Sequence, residues 1–204
     1  STNAYLQRMI LCEAVAEGTV VSTSFQTKGR GQLTNVWEAE EGKNILCSIL
    51  LRPTALPIKS QLLISQAISV AIVDVLNTFA EDFSIKWPND IYYKEEKIAG
   101  ILIENTLSSK GIDSCIIGLG LNVNQQSFKS DAPNPISLFN IIGRETSVPE
   151  LLQSILERFD KVYSLVYSNV ELLRENYFTN LLFNGQLREY ADENGIFLGK
   201  IVDV

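Results

Sequence analysis

Histidine is absent from this 204-residue chain. Its absence removes Ser-His-Asp and Cys-His nucleophilic catalysis, and every zinc site that needs imidazole. Cysteine is scarce. Cys12, Cys47 and Cys115 are odd in number, far apart and set in apolar runs, which predicts free core thiols in a reducing compartment rather than a disulfide framework. Polar residues break every apolar stretch before the roughly 20 residues of a membrane span, and no signal-peptide pattern opens the chain. A cytoplasmic protein with no membrane contact is expected. Positive charge is in deficit as well: 17 Lys and Arg against 24 Asp and Glu leave a net charge of −7, the wrong sign for non-specific nucleic-acid binding. Repeats and low-complexity tracts are lacking. The chemistry must therefore run on fixed charges and positioning.

The chain has 46% apolar and 20% charged residues, the balance of a globular protein with one principal core. Thr2 or Asn3 can cap a helix over 4–16, stopped at Gly18. Residues 19–26 and 44–51 have strand character, and the polar stretch 32–43 between them is expected to be a surface loop. Over 60–80, apolar residues recur at three- and four-residue steps, which predicts a nearly buried helix. Residues 83–86, a hairpin over 90–104 turning at 94–96, and 114–123 complete the strands. Ser147-Val148-Pro149-Glu150 has the pattern of a capping box before a helix to about 167, and 170–182 forms another. The fold class is α+β, with helices packed on a mixed or antiparallel sheet. Strand character returns around 195–202 with no visible hairpin partner. The principal domain is set at 1–186, and 187–204 is expected to open a small C-terminal β domain.

Two segments stand out: Lys28-Gly29-Arg30-Gly31-Gln32, and Lys86-Trp87-Pro88-Asn89-Asp90 followed by Lys97-Ile98-Ala99-Gly100. Gly29 and Gly31 allow close backbone approach to an anion beside the Arg30 guanidinium, or they simply make a tight loop. Gln26, just before them, offers both a donor and an acceptor to a neutral ligand. Trp37 is either a loop anchor or a stacking face for a purine. Pro88 fixes φ, so Asn89 and Asp90 leave the strand end in a defined direction, as ligand groups or as an ordinary turn. Lys97 reads as a solvated edge-strand charge or as a cation aimed at a phosphate. Asn122 is a strand-end polar residue or a second amide toward the ligand.

Taken together, Gly29-Arg30-Gly31, Lys86-Trp87-Pro88-Asn89-Asp90, Lys97-Ile98-Ala99-Gly100-Ile101-Leu102 with Glu104, Ile117-Gly118-Leu119-Gly120-Leu121-Asn122 and the opening Ser1-Thr2-Asn3 resemble the catalytic domain of biotin protein ligases. The resemblance spans residues 1 to about 186, with the segments in the family's order. It implies the class II aminoacyl-tRNA-synthetase-like biotin/lipoate ligase fold. It also implies a two-step reaction: biotin and MgATP give biotinyl-5'-AMP and pyrophosphate, and biotin then passes to one lysine of a biotin carboxyl carrier domain, such as that of acetyl-CoA carboxylase. Lys97, Arg30 and Asp90 would be catalytic. By similarity, Ser1, Thr2, Asn3 and Gln26 would bind the ureido ring, with Arg30, Gly31 and Gln32 along the carboxylate and phosphate. Trp37, Asn89, Asp90 and Asn122 would serve the adenylate, Gly100, Ile101 and Leu102 would wall the biotin pocket, and Gly29 and Lys86 would also belong to the ligand-binding set. Lys97 would bridge carboxylate and α-phosphate. Cofactors would be ATP and Mg²⁺, with no metal site built from protein ligands alone.

The chain departs from the family where the glycine loop continues: Leu33 and Thr34 replace the usual basic residue and third glycine. With no helix-turn-helix segment ahead of Ser1, a ligase without DNA contact is expected. Whether it is a homodimer stays open. Two alternatives remain: a lipoate protein ligase or octanoyltransferase of the same fold, and a non-catalytic nucleotide-binding module. The Gly-Arg-Gly and Lys-Trp-Pro-Asn-Asp pairing argues against the first, and the intact Lys97 and Asp90 against the second.

Overall fold

The computed structural model describes residues 1–31, 36–109, 111–129, 134–192 and 195–204. Six strands form one sheet in the order β1-β2-β6-β5-β4-β3, every neighbouring pair antiparallel: β1 (Val20–Ser22), β2 (Ile45–Leu51), β3 (Phe83–Lys86), β4 (Asp90–Tyr93), β5 (Glu96–Ser108) and β6 (Gly111–Leu121). This is the expected α+β class, with the antiparallel of the two sheet types.

The middle of the sheet is buried on both faces. In β2 all seven residues are buried, because alternate side chains serve two layers. Ile45, Cys47, Ile49 and Leu51 join the large core, while Leu50 packs with Leu6, Val15 and Ile116 under helix α1 (Thr2–Cys12). The large core is closed by α2 (Leu62–Leu76), which follows a 3₁₀ turn at Ile58–Ser60. Its apolar surface is covered by protein, since α2 packs on α4 (Val148–Tyr163), α6 (Val170–Thr179) and the sheet. Leu151, Ile155, Phe159 and Val162 give α4 its buried stripe at three- and four-residue steps. Two short helices, α3 (Leu138–Ile142) and α5 (Leu165–Ser168), link these layers. The edge strand β3 is covered by the end of the α6 segment, where Ile85 exchanges backbone hydrogen bonds with Asn180 and Leu182 at 2.8 Å each.

Several expectations need correcting. Helix α1 begins earlier, with Ser1 as its cap, and ends at Cys12 rather than near Ala16. The chain turns there because Val15 must enter the small core and the Gly18 N–H must reach the Leu50 carbonyl. Cys12, on the last turn, is therefore exposed, unlike the buried Cys47 and Cys115. Ser147 precedes α4 but makes no side-chain cap; the reciprocal capping box forms instead between Ser137 and Asn140 at α3. The strand expected around 195–202 does have a partner. Leu187–Asp192 (β7) pairs antiparallel with Gly195–Lys200 (β8), and the charges of Arg188, Glu189 and Asp192 had masked β7 as a strand.

Candidate functional site

The central strands β5 and β6 carry glycines on the face shared by Asn3 of α1 and the Trp37 indole. Gly100 of β5 pairs with Gly120 of β6, and the next pair on that face is Leu102 with Gly118. On the other side of β6, Leu46 and Ser48 of β2 are the partners of Gly120 and Gly118. Period-two alternation puts these residues on one face, and the missing Cβ atoms leave a trough. A Cβ on Gly118 would fall on the Asn3 amide, and one on Gly120 on the Trp37 indole. The trough is the floor of a cavity of about 600 Å³.

At one end the wall is neutral and dense in hydrogen bonds. The Gln26 Oε1 atom accepts the Thr2 N–H at 2.8 Å. Ser48 Oγ lies 2.7 Å from Thr2 Oγ1 and donates to Asn3 Oδ1 at 2.5 Å. The Asn3 Nδ2 group donates to Glu104 Oε2 at 2.7 Å. Folding α1 so that its first turn lies over β2 and β6 brings Ser1, Thr2 and Asn3 to the cavity together with Gln26. Arg30 and Gly31 line the wall beside them, and Arg30 Nη2 sits 3.2 Å from both Glu104 oxygens.

The other end carries charge. Lys97 is on β5, which is not an edge strand: beyond β4 and β6, the segment at 134–136 brackets its backbone, with the Lys97 N–H donating to the Asn134 carbonyl at 2.8 Å and the Ile136 N–H to the Lys97 carbonyl at 3.0 Å. Its ammonium lies 2.6 Å from Asp90 Oδ2 and 6.0 Å from the centre of the Trp37 ring. Lys86 points to Tyr92, 3.2 Å from its hydroxyl and 4.7 Å from its ring centre. Asn122 uses Nδ2 on the Ile136 carbonyl at 3.0 Å. Its Oδ1 and the indole Nε1 of Trp37 are buried and lack partners among the described residues. One acceptor and one donor thus wait in the wall, and buried polar atoms of this kind are costly unless something satisfies them.

The cavity brings together Ser1, Thr2, Asn3, Gln26, Arg30, Gly31, Trp37, Lys86, Asp90, Lys97, Gly100, Ile101, Leu102 and Asn122. Gly29 stands behind it, where a Cβ would meet the Trp37 carbonyl and where its own carbonyl accepts the Trp37 N–H at 3.3 Å. Asn89 is also behind the wall, buried and bonded through Nδ2 to the Ile101 carbonyl. Gln32, with Leu33 and Thr34, lies outside the described residues. Wall residues not expected from the sequence include Gly118, Gly120, Tyr92, Glu38, Phe128 and Pro135. The two glycines stood in the quoted Gly-Leu-Gly segment, and their alternation with Gly100 would have revealed the floor. Phe128 and Pro135 lie in stretches of sequence with no periodicity to read. Burial pushes the Cys47 and Cys115 thiols up to about 12, so neither is a thiolate nucleophile near neutral pH.

Comparison with known proteins places this cavity in context. Residues 1–122 match the biotin/lipoate A/B protein ligase family. The chain is 34% identical over 198 residues to the bifunctional ligase/repressor BirA of Bacillus spizizenii, covering 92% of this chain and 59% of that protein. It is 30% identical over 145 residues to a biotin–[acetyl-CoA-carboxylase] ligase of Mycobacterium tuberculosis, covering 69% and 52% respectively. The chain thus spans less than two thirds of the length of these relatives. Among solved structures, the biotin protein ligase of Aquifex aeolicus in complex with biotin and ATP superposes with a TM-score of 0.83 at 29% identity, covering 99% of this chain and 83% of that one.

Proposed function

The chain belongs to the biotin/lipoate A/B protein ligase family, and from that membership we propose that it is an ATP-dependent biotin protein ligase. The observation that carries the reading is the two-ended cavity over a glycine floor. One end offers paired amide and hydroxyl groups to a neutral ring, and the other offers cations and two unpartnered polar atoms to a nucleotide.

The biotin head group lies against Thr2, Asn3 and Gln26, whose donors and acceptors suit a cyclic urea. Its carboxylate extends past Arg30 toward Lys97. A carboxylate oxygen attacks the α-phosphorus of ATP, the bond to the β-phosphate oxygen breaks, and pyrophosphate leaves. No base is needed, because the nucleophile is already an anion at neutral pH. The work left to the protein is alignment and neutralisation of charge growing on phosphate. The Lys97 ammonium stabilises the α-phosphate oxygens, and Lys86 attracts the departing pyrophosphate. The adenine amine donates to Asn122 Oδ1, and Trp37 covers the base. In the second step the neutral amine of a lysine on a biotin carboxyl carrier domain attacks the acyl carbon. The bond to the phosphate oxygen breaks, AMP leaves, and the proton shed by the amine passes to solvent.

Asp90 fits a role toward Mg²⁺. Magnesium commonly takes one or two carboxylates together with substrate phosphate oxygens, and Asp90 is a cavity carboxylate beside the lysine that would meet the phosphate. Bound there with the nucleotide, Mg²⁺ would add positive charge to the phosphates. The free thiols fit a reducing compartment such as the cytoplasm, where a carrier domain of acetyl-CoA carboxylase would be the acceptor.

Biotin-dependent exchange of labelled pyrophosphate into ATP tests the reading directly. Exchange that requires biotin is expected. Exchange that requires lipoate instead, or none with either acid, would overturn it.

A further inference from the structure

Glu104 follows Gly100 and Leu102 on the trough face of β5, beyond the cavity wall, and its carboxylate joins two distant parts of the chain. It accepts from Asn3 Nδ2 at 2.7 Å and lies 3.2 Å through each oxygen from Arg30 Nη2. Arg30 binds it through that one nitrogen. The Nε and Nη1 groups of the same guanidinium have no partner among the described residues, and Arg30 lines the cavity. A guanidinium on a loop is otherwise free among many rotamers, and fixing one of its edges lowers the entropic cost of using the other.

We infer that Glu104 is a positioning residue: it grips one nitrogen of Arg30 so that the remaining donors meet an anionic group of the substrate, and it ties Asn3 to the glycine loop through the same carboxylate. The inference rests on the proposed function, in which that anionic group is the biotin carboxylate. Charge is needed at this place as well as shape. Two donor groups converge on Glu104, so a carboxylate serves both, whereas an amide would turn an NH₂ group toward one of them. Asn3 in turn takes the Ser48 proton on Oδ1, so a shift of Glu104 would travel through Asn3 to the neutral end of the cavity.

A double-variant cycle in the pyrophosphate exchange assay tests this on the full chain, with biotin as the varied substrate. Glu104→Ala is expected to raise the biotin KM about tenfold, the scale of one charge-assisted hydrogen bond discounted for partial exposure, with kcat changed far less. In an Arg30→Ala background, Glu104→Ala is expected to add only the smaller effect of the lost Asn3 contact, well short of tenfold. Independent effects that multiply would assign Glu104 a merely structural role and overturn the inference. A biotin KM that falls in Glu104→Ala would also overturn it, because Glu104 would then compete with the substrate for Arg30. If Glu104→Ala does not fold, Glu104→Gln enters the same cycle with the same two readouts. Lack of biotin-dependent exchange in the unaltered protein is a separate result that removes the proposed function and this inference with it.

Discussion

The indole of Trp37 lies directly on Gly120, with its Nε1 2.7 Å from where a Cβ on that glycine would stand. The ring also covers Gly100, across the β5–β6 pair. Floor and cover are therefore matched, and Gly120→Ala must lift the ring. We expect nucleotide binding to weaken by roughly the value of one aromatic stack, about 1–3 kcal/mol. The strand itself should stay intact, because alanine suits extended backbone. In a Trp87→Phe background, which leaves Trp37 as the sole indole, the emission of Gly120→Ala should move to the red as the ring meets water. Unchanged emission and ATP affinity would show that the ring is not held by the floor.

Lys97 and Asp90 form a pair only 26% and 30% exposed at their side chains. Such a pair contributes about 1 kcal/mol or less to stability, yet it sits where charge would develop in the reaction. Lys97→Ala should thus lower the exchange rate about 10² to 10³-fold while the melting temperature moves by only a few degrees. Asp90→Asn should show a different signature, a raised Mg²⁺ requirement. A Lys97→Ala protein that unfolds in proportion to its loss of activity would mean that the pair is structural.

Much of this was legible because local pattern and global fold agree. Strand β3, the long helix α2 and the amphipathic α4 are visible as period two and period 3.6, and the site segments are short and polar within apolar surroundings. Three things were hidden for physical reasons. Ser48 is the only polar residue in Ile45–Leu51, and its role depends on which of two faces α1 covers. Glu104 gains meaning only from Asn3 and Arg30, residues 101 and 74 positions away. Asn89 carries the right chemistry for a ligand group, but the Trp-Pro corner turns its side chain to the Ile101 carbonyl.

The three thiols should differ sharply in reactivity. Cys12 is exposed, whereas burial pushes Cys47 and Cys115 up to about 12 from an ordinary value near 9. At pH 8 one thiol per native chain is expected to react with an alkylating reagent, and three after denaturation. The raised values also set a direction for stability. In the folded protein the two thiols keep their protons above pH 9, where the unfolded chain loses them. Their contribution is complete below pH 9 and declines as pH rises toward 12, by about 1.4 kcal/mol per pH unit for each. Cys47→Ala should flatten that decline, and an equally steep loss in the variant would assign it to other groups.

Gln125, 2% exposed, ties the loop after Trp37 to the loop after β6. Its Oε1 accepts from the Glu40 N–H at 3.0 Å and from Asn44 Nδ2 at 2.6 Å, while Nε2 donates to the Ser127 carbonyl at 3.0 Å and to Glu38 Oε1 at 3.4 Å. Glu38 also takes the Lys129 N–H. Gln125→Glu keeps the acceptor but replaces the donor with a buried carboxylate that faces the half-buried Glu38. The new carboxyl should therefore have a folded pKa well above the ordinary glutamate value of about 4.3. With the folded value raised, the variant approaches the parent in stability at low pH and falls behind as pH rises through that value. Melting curves at pH 5 and pH 8 should show the deficit growing with pH, reaching about 1–3 kcal/mol. Because the two loops bring Trp37 and Phe128 to the cavity wall and Trp37 stands beside Lys97, the KM for ATP should rise more than that for biotin. A deficit independent of pH, or a loss confined to biotin, would mean that Gln125 does not hold these loops against the site.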